Sequence, residues 1–240
     1  LGGLLAGFAG GWFLKRLRRI CDRLPASLEG LKPILIYPVA GLLFIGAFMC
    51  AVNPFVGMLN NALTGGLNSM GGSSALLLGA LVAGMQATDM GGPINKAAYV
   101  FGTASIAMAE GGFSPVMAAV MAGGMVPPLA IALATIFFKD RFTADERKSG
   151  PVNFIMGLSF ITEGAIPFAA SDPLHVLPAC IAGSAAAGAL SMAFGCASPA
   201  PHGGLFVFPV IRNPLGYAAA VLIGAVAGMF LLGLLKKKKV

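Results

Sequence analysis

Charge is what this chain has least of. Of 240 residues only 9 are acidic and 16 basic, so charged side chains make up 10% of the sequence, where soluble domains carry roughly 25%. A water-soluble fold needs a polar shell, and this composition does not supply one. The four cysteines, Cys21, Cys50, Cys180 and Cys196, are scattered without CxxC or metal-ligand spacing. That excludes a disulfide framework and a structural zinc site and leaves them as small packing residues. No Walker loop, nucleophile elbow or ordered Ser-His-Asp set occurs. Neither a metal nor a cofactor is expected.

What the chain does have is apolar length. Hydrophobic residues make up 57%, glycines number 34, and the mean hydropathy is +0.86. This is the composition of an integral membrane protein. The net charge of +7 would ordinarily raise nucleic acid as a partner, but 13 of the 16 basic residues fall in three patches, Lys15 to Arg23, Lys139 to Lys148 and Lys236 to Lys239. Short basic segments beside apolar spans are what the positive-inside rule places in the cytoplasm. The expected partner is therefore membrane lipid and not nucleic acid, with the basic loops and the C-terminus cytoplasmic.

Apolar stretches of membrane length fall at about 1–14, 32–52, 74–88, 97–109, 114–138, 174–195 and 215–235. Residues 53–73 carry four asparagines and no charge, and read as a non-cytoplasmic loop or an interfacial piece; Leu59, Leu63 and Leu67 recur at amphipathic-helix spacing. With the first basic patch inside, four crossings from 32 to 138 return the chain to the second patch, on the same side. From there to the lysine tail the number of crossings must be even, and 174–195 and 215–235 supply two. The interrupted segments 151–171 and 197–213 must then both cross or both be re-entrant. Pro151, Gly157, Gly164, Pro167 and Pro173 favour a re-entrant hairpin in the first. The fold class expected is all-α integral membrane, a multi-span helical transporter with re-entrant hairpins. The opening on Leu1, already apolar, reads as a start partway through a span.

Three polar clusters interrupt the apolar text. The first is Asp89-Met90-Gly91-Gly92-Pro93-Ile94-Asn95-Lys96. Its glycines permit close backbone approach, Asn95 can both donate and accept, and Lys96 can contact an anion or pair with Asp89. A tight interfacial turn with a snorkelling Lys96 explains it equally. The second surrounds Glu163, a lone carboxylate in Phe160-Ile161-Thr162-Glu163-Gly164-Ala165-Ile166-Pro167-Phe168. An ion at membrane depth costs roughly 2.5–3.5 kcal/mol on insertion scales, so such a residue faces a cavity, a partner or a substrate. It can bind a hydroxyl or act as a base on one; a structural ion pair, with Lys96 for instance, is the other reading. Asp172-Pro173 reads as an N-cap followed by Pro at the first helical position. The third cluster is Ser198-Pro199-Ala200-Pro201-His202-Gly203-Gly204. His202, between Pro and Gly-Gly, belongs in a loop or cavity wall, whereas His175 reads as a packed helix residue. Paired broken segments in the two parts of a transporter point to a midplane site.

These clusters resemble the enzyme IIC membrane component of the fructose-type sugar phosphotransferase system. The similarity rests on Met90-Gly91-Gly92-Pro93-Ile94-Asn95-Lys96-Ala97-Ala98-Tyr99, Ile161 to Phe168 followed by Asp172-Pro173, and Ser198 to Gly204. The stretches Leu24 to Pro33 and Asn60-Asn61-Ala62-Leu63 extend it through essentially the whole chain. The resemblance implies a partial IIC membrane domain without the family's amino-terminal helices: residues 1–73 as the remainder of a scaffold or interface part, and 74–240 as the substrate-binding transport part. It implies a homodimer in the bacterial inner membrane, a permease subunit that translocates fructose or a related hexose or polyol. Phosphorylation would come from a IIB protein or domain, since no phosphoryl-carrying Cys or His is evident here. It also implies Glu163 at a hairpin tip as the catalytic and sugar-binding group. The other substrate contacts would be Asn95, Gly92, Pro93, Thr162, His202, Asp89 and Lys96. An alternative from another class is a proton- or cation-coupled secondary transporter using Glu163 and Asp89.

Overall fold

The computed structural model describes residues 2–25, 28–69 and 74–238; their regular elements are all helices, joined by turns and loops that hold two isolated β-bridges. The chain divides into two compact units, Leu1–Gly65 and Gly66–Val240. Among the described residues, four helical stretches are long and apolar enough to cross a membrane: Lys32–Phe55, Pro115–Phe137, Pro173–Ala193 and Pro214–Leu235.

The first unit holds α1 (Gly2–Cys21) and most of α2 (Tyr37–Ser69), entered through a π-helical turn over Lys32–Ile36. Pro33 falls in the first turn, where a missing N–H is harmless. The two helices pack through stacked rings: Phe13 lies 4.1 Å from Phe44, and Phe44 lies 6.1 Å from Phe48. Gly10 lets Ile45 approach, since a Cβ there would stand 2.8 Å from its Cδ1. Residues 53–73, expected as a loop or an interfacial piece, are helical as far as Ser69, running through Pro54. Residues 70–73 lie outside the described part, and so do the side chains of residues 59–69.

The second unit is a bundle of α3 (Ala75–Thr88), α5 (Pro115–Phe137), α9 (Pro173–Ala193) and α10 (Pro214–Leu235). α5 is its axis and is buried along nearly its whole length. Small residues permit this. A Cβ on Gly123 would stand 2.6 Å from the Ala83 carbonyl oxygen, and one on Gly183 would stand 2.7 Å from that of Gly224. Lipid and apolar side chains are equally oily, so close backbone approach is what makes membrane helices adhere.

Two helical hairpins insert into this bundle from opposite ends. α3 and α4 (Pro93–Met108) have 14 and 16 residues, about 21 and 24 Å at ~1.5 Å per residue, against a hydrocarbon core of about 30 Å. Gly79 packs on Gly188 and Met192 of α9, while Gly102 packs on Met117 and Val120 at the start of α5. Ser105 and Ser114 hydroxyls are 2.5 Å apart. The ends of this hairpin thus lie beside the α5 N-terminus and the α9 C-terminus, and its turn, Asp89–Gly92, reaches only to the middle of α5. The sequence expectation of two full crossings at 74–88 and 97–109 is corrected to one hairpin. The parity is untouched, because two crossings are replaced by none.

The second hairpin rises from the other end: α7 (Val152–Leu158), a 3₁₀ turn over Thr162–Ala165, and α8 (Ile166–Ser171). Gly150 sits against Thr135, Gly157 against Leu129, and Thr162 against Gly124, so its tip also stops at mid-α5. The last interrupted segment holds a single 3₁₀ stretch, Leu205–Val210, tied down by the bridges Ser114↔Ser198 and Ala197↔Arg212. Neither segment is long enough to span.

The end of the bundle near α6 (Ala144–Ser149) is more ordered than a solvated loop. Thr143 and Glu146 form a capping box. Lys236, part of the basic C-terminal patch, is buried, its Nζ 3.5 Å from Glu146 Oε1 and 3.4 Å from Asp172 Oδ2. Asp172 occupies the N-cap position of α9, but its carboxylate makes no cap hydrogen bond; it joins His175 Nδ1 at 2.6 Å and Lys236 instead. Burial pulls the Asp172 carboxyl up, yet the His175 hydrogen bond and the Lys236 charge outweigh it and hold it below its ordinary value. A depressed carboxyl adds stability above its unfolded pKa and loses it as pH falls through the lower folded one. The cluster is therefore expected to hold at neutral pH and to weaken only in acid below the ordinary carboxylate range. Lys236→Met is expected to cost on the order of 1–3 kcal/mol, since it removes the buried cation from two carboxylates that keep their Thr143, Ser171 and His175 hydrogen bonds. The check is a melting temperature that falls for the variant at pH 7 and converges with wild type in acid.

Candidate functional site

Where the two hairpin tips meet, a cavity of about 240 Å³ opens, lined by Gln86, Asn95, Lys96, Tyr99, Phe160, Thr162, Glu163, Pro201 and His202. It is smaller than the roughly 300–1,000 Å³ of drug-sized sites, which suits one small solute. All three polar clusters of the sequence contribute to it.

The α3–α4 wall is fixed by reciprocal amides. Asn95 Nδ2 donates to the Gln86 carbonyl at 2.8 Å, and Gln86 Nε2 donates to the Asn95 carbonyl at 3.1 Å. Both side chains are buried, and the pair holds two helices at a fixed turn. Asp89 accepts from the Ile94 and Asn95 N–H groups at 2.7 and 2.9 Å, closing the start of α4. Gly92 makes room for that carboxylate, as a Cβ there would stand 2.6 Å from Asp89 Oδ2. Pro93 is the first residue of α4. Asp89, Gly92 and Pro93 thus build the turn behind the cavity and do not line it. Gly91, at φ +107°, is the residue that touches Glu163, and a Cβ on it would lie 2.7 Å from Oε1.

The α7–α8 tip owes its shape to a Schellman closure of α7. The Ile161 N–H donates to the Met156 carbonyl at 2.8 Å and the Phe160 N–H to the Gly157 carbonyl at 3.1 Å. The left-handed position falls on Phe160, φ +60°, where glycine is usual; a side chain there costs roughly 1–2 kcal/mol. Its ring is held over Gly124 and Gly203 and lies 5.5 Å from the His202 ring. Backbone strain at a cavity wall is the common company of function. Thr162 is buried and donates to the Gly124 carbonyl at 2.7 Å.

Glu163 has no hydrogen-bond or ion-pair partner among the described residues. Lys96 pairs with neither Glu163 nor Asp89, and its ammonium lies 5.8 Å from the Tyr99 ring centroid. The ion-pair readings of the sequence are therefore not realised: an exposed carboxylate and an exposed ammonium line the same small cavity without pairing. Tyr99 donates to the Pro201 carbonyl at 3.0 Å, tying α4 to the third cluster. His202 Nδ1 accepts from the Gly204 N–H at 3.2 Å. That assigns the proton of the neutral ring to Nε2 and makes it a donor. The cavity is thus lined by an acceptor, a cation and an imidazole beside the Tyr99 and Phe160 side chains, a suitable set for a polyhydroxylated solute. No group of His, Cys, Asp and Glu able to hold a metal occurs among the described residues.

A model of the family "Phosphotransferase system, EIIC" matches residues 1–183. The chain belongs to the EIIC family. Among curated proteins, this EIIC chain is 48% identical over 238 residues to the fructose permease IIC component of Bacillus amyloliquefaciens, covering 99% of this chain and 77% of that one. It is also 48% identical over 238 residues to the fructose-specific EIIABC component of Bacillus subtilis, with 99% of this chain and 37% of the relative covered. The fructose-specific EIIB'BC component of Escherichia coli is 47% identical over 223 residues, 91% of this chain and 39% of its own length. The chain thus spans little more than a third of two of these relatives. No solved structure matches it.

Sequence reasoning singles out five of the nine lining residues. Gln86 was missed, although it is the only amide side chain in α3 and a lone amide in an apolar helix is itself a signal. Tyr99, Phe160 and Pro201 lie inside the quoted motifs without a role assigned, because nothing in a motif says which side chains converge.

Proposed function

We propose that this EIIC chain is the membrane permease part of a fructose phosphotransferase system, binding fructose or a close hexose or polyol in the cavity between the hairpin tips. The reading is carried by one observation, an unpartnered Glu163 carboxylate that lines one small cavity together with Lys96 and His202. Glu163 accepts a hydrogen bond from the sugar hydroxyl that is to be phosphorylated. As that oxygen attacks phosphorus, the O–P bond forms, the bond to the phosphoryl-carrying side chain of a IIB partner breaks, and the hydroxyl proton passes to Glu163. His202 Nε2 and Lys96 hold other oxygens of the substrate, and Asn95 and Thr162 keep their walls in register. The names of the relatives, EIIABC and EIIB'BC, support a IIB domain as the phosphoryl donor.

The setting is the bacterial inner membrane, with the basic segments and the C-terminus cytoplasmic and both hairpins re-entrant; a homodimer completes the assembly. In this topology the α7–α8 hairpin enters from the cytoplasmic side, which puts Glu163 within reach of a cytoplasmic donor. Ion-coupled transport through Glu163 and Asp89 is not favoured, because Asp89 is occupied in closing α4.

The test is binding of labelled fructose, mannose and mannitol to the full-length protein with and without phosphorylated IIB. Fructose is expected to bind without IIB and to leave as a phosphate ester only with it. If none of the three binds, the sugar assignment fails. Accumulation of free sugar driven by an ion gradient, with no phosphoryl donor, would establish the ion-coupled reading instead.

A further inference from the structure

α5 carries Pro127-Pro128 in its interior. A proline has no N–H, so the helix cannot supply donors to the carbonyls four residues earlier, those of Gly123 and Gly124. In a protein interior at membrane depth, each needs a partner from elsewhere. Both have one. Ser184 of α9 donates its hydroxyl to the Gly123 carbonyl at 2.8 Å, and Thr162 of the hairpin tip donates to the Gly124 carbonyl at 2.7 Å. The Ser184 and Thr162 side chains are both buried. Gly124 is also too close to the Phe160 ring to carry a side chain, so the tip lies directly on the exposed backbone of α5.

We infer that Thr162 is a positioning residue, the hydroxyl latch that fixes the α7–α8 tip to the backbone break of α5 and so sets where the neighbouring Glu163 carboxylate stands in the cavity. This rests on the reading of Glu163 as a sugar-binding group. The proline pair makes the latch specific. In an unbroken helix both carbonyls would already be bonded, and a hydroxyl arriving there would add little. Here one hydrogen bond both satisfies an orphan carbonyl and docks the tip. Ser184 uses the same chemistry one residue earlier, but ties α9 to α5 away from the cavity.

That pair supplies its own control. In the full-length protein, Thr162→Val is expected to raise the fructose KM roughly tenfold, the size of a lost buried hydrogen bond that leaves its acceptor unsatisfied, and Thr162→Ser to restore it. Ser184→Ala strands Gly123 in the same way. It is expected to lower the melting temperature about as much as Thr162→Val while leaving the fructose KM at wild type. Should Thr162→Val fold poorly, adding Pro128→Ala gives Gly124 a backbone donor; that double variant is expected to recover stability with the KM still raised. A wild-type KM in Thr162→Val, or KM and stability recovering together in the double variant, would overturn the positioning role. Failure of the underlying site reading is distinguishable, because there Glu163→Gln itself would leave fructose binding unchanged.

Discussion

Glu163→Gln is expected to abolish phosphorylating fructose uptake, with membrane insertion and thermal stability unchanged. The carboxylate makes no hydrogen bond or ion pair within the described residues, so the amide strands no partner and leaves no hole. Chemistry is lost instead. A positioned base contributes about 10²–10⁴ in rate, and an amide cannot take the proton of an attacking hydroxyl. A charge-assisted hydrogen bond is also exchanged for a neutral one, worth about half as much. Turnover should therefore fall at least ~100-fold, with a smaller loss of sugar affinity. The measurement is uptake of labelled fructose with a phosphoryl donor, beside quantified protein in the membrane. Uptake at the normal rate by a correctly inserted Gln variant would remove Glu163 from the mechanism.

Gly91→Ala comes next in size, and works from the opposite wall. Its φ of +107° is a conformation that an L side chain rarely adopts, and the added Cβ would sit 2.7 Å from Glu163 Oε1 and 3.3 Å from Cγ and Cδ. A flexible glutamate can swing away, so the clash does not unfold the protein; it moves the carboxylate out of the cavity. The backbone adds further strain to the turn, because φ +107° lies beyond the left-handed region that side-chain-bearing residues visit. Uptake is expected to collapse nearly as far as in Glu163→Gln, now with impaired binding as the chief defect. Gly111→Ala is the matched control, since Gly111 also has positive φ, at +66°, but its nearest outside atom is Phe113 Cδ2 at 4.0 Å. It carries the backbone strain without displacing Glu163 and should transport near the wild-type level. Equal loss in the two variants would mean that backbone strain alone, and not displacement of Glu163, is responsible.

Several parts of this protein are legible in its sequence. The long spans 114–138, 174–195 and 215–235 match α5, α9 and α10 within a residue or two. The reason is simple: twenty apolar residues in a row leave the backbone no partner but itself. Glu163 stood out because an ion in such text needs a reason. Crossing and non-crossing segments were harder to tell apart. Residues 74–88 and 97–109 are as apolar as a span, and only their packing against the first half of α5 shows one hairpin. Asp172 reads as a cap and Lys236 as part of a cytoplasmic basic tail; nothing in the sequence pairs them across 64 residues.

By itself, then, the sequence determined that this chain lives in a membrane as a helical bundle, and that its chemistry sits in three polar interruptions. Desolvation cost decides both, and it is a local quantity that each residue carries with it. Tertiary structure alone decided that the tips of two opposed hairpins meet, that Gly91 rather than Asp89 faces Glu163, and that Thr162 is drawn onto the carbonyl exposed by Pro128. Those outcomes depend on depth and register between segments far apart in the chain, and apolar helices can slide past one another at little cost until small residues and orphan carbonyls fix where they stop.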